Sequence, residues 1–151
     1  SIYLTTPYFI PGRKILRALI RASEKGVDAK LLLQGQTDIK SVYYAGRSYY
    51  QKLLNAGVKI YSYKGSVLHA KTAVFDRTWS IVGSTNLDFQ SLRRNDESNA
   101  GVLDSGFSDY MTEVFQKDLL DSEEIDAEKW RERPFYEKLL EKFFAFIMRK
   151  L

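Results

Sequence analysis

A chain of 151 residues is long enough for one domain with a hydrophobic core of its own. Its hydrophobic share of 44% and charged share of 28% match a soluble globular domain and exclude a low-complexity or disordered chain. The absence of cysteine excludes disulfides, thiol catalysis and cysteine-based zinc sites, while a formal charge of +4 leans weakly toward anionic partners such as phosphates, nucleic acid or anionic lipid.

Ile2 to Tyr8 has the pattern of a buried strand, closed by Pro7 and Pro11. Gly12 to Lys25 follows as a helix, with Ile15, Leu16, Leu19 and Ile20 on one face, basic residues on the other, and Gly26 as its stop. A Leu-rich strand over Val27 to Gln34, a second helix from Ser41 to Asn55 stopped by Gly57, and a strand over Val58 to Tyr63 complete a strand–helix alternation. From Val67 the pattern changes. Val67–Phe75 and Trp79–Val82 are expected as strands around a turn at Asp76-Arg77, with Glu97–Leu103 as a further strand. Helices are expected over Ser108–Leu120, near Asp126–Trp130, and over Phe135–Lys150. The polar run Asp121-Ser122-Glu123-Glu124 is expected as a hinge. The expected fold class is α/β: a mixed, mostly parallel sheet flanked by helices, with right-handed crossovers and extra C-terminal helices. Residues 1–121 would form the main unit and 122–151 a helical extension. No stretch approaches the ~20 apolar residues of a membrane-spanning helix. The opening Ser-Ile-Tyr-Leu has neither Met nor the basic flank of a signal peptide, which suggests a piece of a longer protein.

The chemistry is concentrated around the only histidine. His69, Lys71 and Asp76 form H-x-K-x4-D, and Gly83-Ser84-Thr85-Asn86 follows as G-S-x-N. Alternation along a strand would put His69 and Lys71 on one face, a poor pair for a core and a good one for a phosphate. Lys71 would bind a non-bridging oxygen, and a neutral His69 would attack phosphorus or transfer a proton. Asp76, at odd spacing, would face away and hold the turn with Arg77 and Thr78. Gly83 would let backbone approach a ligand, and Ser84 and Asn86 would donate to the same phosphate oxygens as charge builds up. Glu97, on a face with Asn99, is the candidate carboxylate for fixing the His69 tautomer. Taken singly, each residue has an ordinary structural role open to it. The ordered combination is what points to phosphodiester chemistry.

This pattern resembles the phospholipase D superfamily, whose signature is H-x-K-x4-D with a trailing G-S-x-N. Within it, the chain is similar to the C-terminal half of bacterial cardiolipin synthases. The residues that carry this second likeness include Thr6-Pro7-Tyr8-Phe9-Ile10-Pro11, Arg47-Ser48-Tyr49-Tyr50, Asn86-Leu87-Asp88, Asn95-Asp96-Glu97 and Trp130-Arg131-Glu132-Arg133-Pro134. Two positions depart from it: Gln90-Ser91 stands where Arg-Ser is usual, and Arg94 where an apolar residue is usual. The resemblance implies a phosphatidyl transferase that works through a phosphohistidine intermediate, without metal or other cofactor. It acts on phosphatidylglycerol or a related phospholipid and an alcohol acceptor, at a bacterial membrane. One histidine attacks phosphorus and a second serves as general acid and base, the role His69 would then take. A chain with one histidine needs a partner for this. The partner is the N-terminal half of the same enzyme or a second copy of this chain. The alternative is a phosphodiesterase or nuclease acting on nucleic acid as a one-motif homodimer, with Tyr43, Tyr44, Tyr49 and Tyr50 as possible stacking residues.

The C-terminal segment places Tyr136, Leu139, Leu140, Phe143, Ile147 and Leu151 at helical spacing, with Lys138, Lys142, Arg149 and Lys150 around them. Both packing on the core and lying in a membrane interface fit this pattern. Packing is expected through Leu139 and Phe143, with Phe144 and Phe146 on the exposed side.

Overall fold

The structure, a computed structural model, describes residues 1–35, 39–88, 91–92 and 94–148. Strand β1 (Ile2–Thr6), helix α1 (Arg13–Glu24), strand β2 (Ala29–Gln34), helices α2 (Lys40–Arg47) and α3 (Tyr50–Asn55) and strand β3 (Lys59–Tyr63) make two parallel crossover units. α1 and α3 both end on a glycine in the left-handed region, Gly26 at φ 87° and Gly57 at φ 88°. The next amide, Val27 or Val58, bonds back to Ala22 or Leu53. This closure turns each helix directly into the following strand.

The second half of the sheet is antiparallel. Strands β4 (Thr72–Phe75), β5 (Trp79–Gly83) and β6 (Asn99–Leu103) run outward from β1. Helix α4 (Ser105–Leu120) leads to β7 (Ser122–Glu124), and helices α5 (Ala127–Arg131) and α6 (Phe135–Met148) finish the described chain. The strand order is β6-β5-β4-β1-β2-β3-β7. The sheet is therefore mixed, as expected, but only the β1–β2 and β2–β3 pairings are parallel, so the parallel share is smaller than the sequence suggested.

Leu31, Leu33, Ile60 and Leu4 face α1 and α3 and join Leu19, Leu53 and Tyr50 in the main core. On the opposite face Leu32 meets Phe115 of α4, where Tyr3 stacks on the Phe115 ring at 5.1 Å. β2 is thus apolar on both faces, as a central strand must be.

Three expectations need correction. The helix expected over Ser41–Asn55 is two helices, broken where the Ser48 hydroxyl donates to the Ala45 carbonyl at 2.6 Å. The break turns Tyr49 and Tyr50 into the core, and Tyr50 packs on Trp130 at 5.1 Å, so neither ring is free to stack bases. The polar run at 121–124 is not a hinge. Ser122–Glu124 pairs with β3 as a charged edge strand, a usual composition for an edge and an easy one to take for a loop. In α6 three positions change sides: Leu139 and Phe143 are exposed and Phe144 packs against the core, while Phe146 is exposed as expected. The expected helical positions Arg149, Lys150 and Leu151 lie outside the described residues.

Candidate active site

The β3–β4 connection carries His69. Its anchor is Leu68, buried, whose amide donates to the Gln34 side-chain oxygen at 2.6 Å. The next residue, His69, is exposed, and no described residue bonds to its imidazole. The β4 ladder begins only at Thr72, so His69 lies in irregular chain and strand alternation does not fix its direction. Lys71 is better defined. Its carbonyl accepts from the Gly83 amide at 3.1 Å, extending the β4–β5 ladder by one pair. Its ammonium donates to the His69 carbonyl at 2.7 Å, which ties the two motif residues together through the backbone. Partial burial lowers the Lys71 pKa, and the charge of Glu97 opposes that shift.

The G-S-x-N tail lies against the segment that opens β6. Gly83 is required there: a side-chain carbon at this position would come 2.1 Å from the Asn99 side-chain oxygen and 2.5 Å from the Ser98 carbonyl. The Ser84 amide donates to the Ser98 carbonyl, and the Ser98 amide donates to the Ser84 hydroxyl, both at 3.0 Å. The Ser84 hydroxyl donates in turn to Glu97. This bond, then those from Ser91 and Asn95 and the charge of Lys71, hold the Glu97 carboxyl below its usual pKa. Glu97 therefore orients Ser84 and balances Lys71, and it makes no bond to the His69 ring. It precedes β6 instead of lying in it, so the expected shared face with Asn99 does not form. Asn99 bonds to Thr85 at 2.6 Å.

Asn86 donates to the Ser91 hydroxyl at 3.3 Å, and its side-chain oxygen is buried without a partner among the described residues. Ser84 and Asn86 were expected to point donors at one phosphate. In this structure both donors are turned to loop partners, so the two side chains brace the loop around the site. Of the two departures from the cardiolipin synthase pattern, Gln90 lies outside the described residues and Arg94 is exposed, while Ser91, which keeps the pattern, is a buried part of the brace. Asp76 lies at the far end of β4, in a turn where it and Arg77 have φ near 50°, and its carboxylate accepts from the Ser1 amine. Thr78 closes that turn onto the Asp76 carbonyl at 3.0 Å.

Sequence reasoning missed the role of Thr6 to Pro11. The Thr6 hydroxyl donates to the Tyr8 carbonyl at 3.0 Å, and the Ile10 amide donates to the Leu87 carbonyl at 2.8 Å. This lays the segment after β1 alongside Asn86-Leu87. It also missed a cavity of about 350 Å³. The β4–β5–β6 register puts Lys71 and Asn99 at one end of this cavity and Phe75 at the other. Between them lie Leu4, Ile15, Leu19, Ala73 and Ile81, an apolar lining under α1. The Ile-x-x-x-Leu spacing of α1 and the alternation of β4 were visible in the sequence, but not that the two leave a gap.

A mixed sheet of this order, with a histidine–lysine pair at the edge of the antiparallel half, defines a phospholipase D-like domain. Solved structures share the fold. Nuc from Salmonella typhimurium, a phospholipase D family member, aligns with a TM-score of 0.70 at 21% identity, covering 83% of this chain and 81% of its own. Phosphatidylserine synthase from Haemophilus influenzae aligns with a TM-score of 0.73 at 14% identity, over 98% of this chain and 39% of its own. The chain belongs to the family described as cardiolipin synthase, PLD-like domain, which matches residues 1–119. Among curated relatives, a cardiolipin synthase A of Yersinia pseudotuberculosis is 37% identical over 146 residues, or 97% of this chain. One of Cronobacter sakazakii is 38% identical over 145 residues, or 96% of this chain. The chain spans 30% of the length of each of these relatives.

Proposed function

We propose that this chain is one catalytic half of a phosphatidyl transferase of the cardiolipin synthase type. The observation that carries the proposal is the apolar cavity that begins at Lys71. A phosphate held by Lys71 has a greasy channel beside it, which suits a phospholipid and has no use for a nucleic-acid backbone. The names of the relatives support the same choice.

The complementary half, the N-terminal half of the same enzyme or a second copy, supplies the other histidine. That histidine attacks phosphorus of phosphatidylglycerol or a related lipid and forms a phosphohistidine. The P–O bond to the head group breaks, and the departing alkoxide takes a proton from His69. The acceptor alcohol then gives its proton to His69 as its oxygen attacks phosphorus and frees the nucleophile. Lys71 offsets the phosphate charge throughout. Glu97 holds Ser84 and keeps the loop in place. The reaction takes place at a bacterial membrane surface, to which the protein attaches peripherally or through segments outside this chain; among the described residues no helix is long and apolar enough to cross a membrane.

The test is turnover by the full-length protein on phosphatidylglycerol vesicles and on single-stranded DNA, each with and without chelator. Transfer of the phosphatidyl group to a second alcohol is the expected result. DNA cleavage that resists chelator, with no lipid turnover, would replace this function with that of a dimeric nuclease.

A further inference from the structure

Helix α6 is built inside out. Its two acidic residues face the protein: Glu141 is 2% exposed and bonded to Arg47 and Arg133, and Glu137 is paired with Arg47. Phe144, Ala145 and Met148 pack inward beside them. The solvent side carries Phe135, Tyr136, Leu139, Phe143 and Phe146, between 51% and 73% exposed. Their spacing draws one apolar stripe along the helix, with exposed Lys142 at its flank. A helix packed on a domain normally turns such a stripe inward and its acids outward. Here the stripe is more than half exposed at every position, and it has no acidic neighbour on its own helix.

A second feature lies at the C-terminal end of α6. Met148 forms part of the wall of a cavity of about 620 Å³ between α1 and α3. Arg13, Arg17 and Lys52 line it over an apolar floor of Leu16 and Ile20, and no carboxylate lines it. None of the three cations is paired among the described residues.

We infer that the outer face of α6, together with this cationic groove, docks the domain on an anionic phospholipid bilayer. The apolar stripe enters the boundary between head groups and acyl chains, as amphipathic helices do, and the groove takes an anionic head group. Charge decides for this occupant. A protein partner would need acids to meet Arg13, Arg17, Lys52 and Lys142, and an anionic membrane supplies them at every point. The inference rests on the lipid-transfer function proposed above and assigns its membrane-contacting surface.

Flotation of the 151-residue chain with phosphatidylcholine vesicles, with and without phosphatidylglycerol, tests it. Binding is expected on vesicles containing phosphatidylglycerol, weakened but not abolished by salt. Phe135→Ser, Tyr136→Ser and Leu139→Ser should each weaken binding by about tenfold with the thermal midpoint unchanged, since all three side chains are more than half exposed. Arg17→Ala and Lys52→Ala should each weaken it roughly fivefold, and only on the anionic vesicles. A triple α6 variant that binds like the wild type overturns the inference. So does a wild type that ignores vesicles but self-associates through α6 by sedimentation, which would assign the stripe to a second copy. His69→Ala should bind vesicles as the wild type does. For the wild type, vesicle binding without lipid transfer counts against the proposed reaction, and absence of vesicle binding counts against the docking face.

Discussion

Glu141 holds α6 on the domain, and replacing it with Ala should be among the most damaging single changes. Its carboxylate accepts from Arg47 at 3.1 Å and from Arg133 at 3.0 and 2.6 Å. The side chains of Arg47 and Arg133 are 12% and 13% exposed, and their guanidinium groups lie 4.7 and 4.5 Å from the Trp130 ring. Glu141→Ala leaves two buried cations with one carboxylate between them, since Glu137 still serves Arg47 and nothing replaces Glu141 for Arg133. Removing one partner of a buried ion pair costs about 3–5 kcal/mol. For a chain of this size each kcal/mol lowers the midpoint by about 2–4 °C, so a fall of roughly 6–20 °C is expected. Urea and thermal unfolding followed by tryptophan fluorescence measure it, with Trp130 reporting directly on the cluster. Glu137→Ala, at a more exposed carboxylate, should cost clearly less. A loss below about 1 kcal/mol for Glu141→Ala would refute the argument, because that is the range of a surface pair.

Gly83→Ala should destabilise by about 1–3 kcal/mol through the clash with Asn99 and Ser98, measured by urea unfolding. Ser84→Ala removes the hydrogen bond that most lowers the Glu97 carboxyl pKa, so that pKa, followed by NMR, should rise. Turnover should fall as the loop loosens. The pH dependence has a definite sign. Glu97 has a folded pKa below its unfolded value of about 4.3, so its contribution is present above that value and is lost as pH falls through the lower folded one. The gap in urea midpoint between wild type and Glu97→Gln should therefore be largest near neutrality and close in acid.

Much of the candidate site was legible because the motif is local. His69, Lys71 and the Gly83-to-Asn86 tail are short-range patterns, and the β4–β5 hairpin brings Lys71 to Gly83 whatever the rest of the chain does. The partner of Glu97 was not legible. Alternation was extended beyond the true strand ends at Thr72 and Asn99, and outside a ladder it carries no information. The exposed face of α6 misled for a different reason. Apolar spacing locates a stripe but cannot say which side the protein covers, and the buried acids that decide it pair with Arg47, some 90 residues earlier in the chain. The β7 edge strand, charged and three residues long, offers sequence almost nothing to detect.

The central claim is that His69 moves the proton in phosphatidyl transfer. Turnover of phosphatidylglycerol in vesicles, compared between the full-length wild type and its His69→Ala variant at matched vesicle binding, tests it most directly. A loss of at least about 10²–10⁴-fold, in transfer and hydrolysis together, is predicted for removal of a general acid and base. Turnover near the wild-type rate would contradict the account.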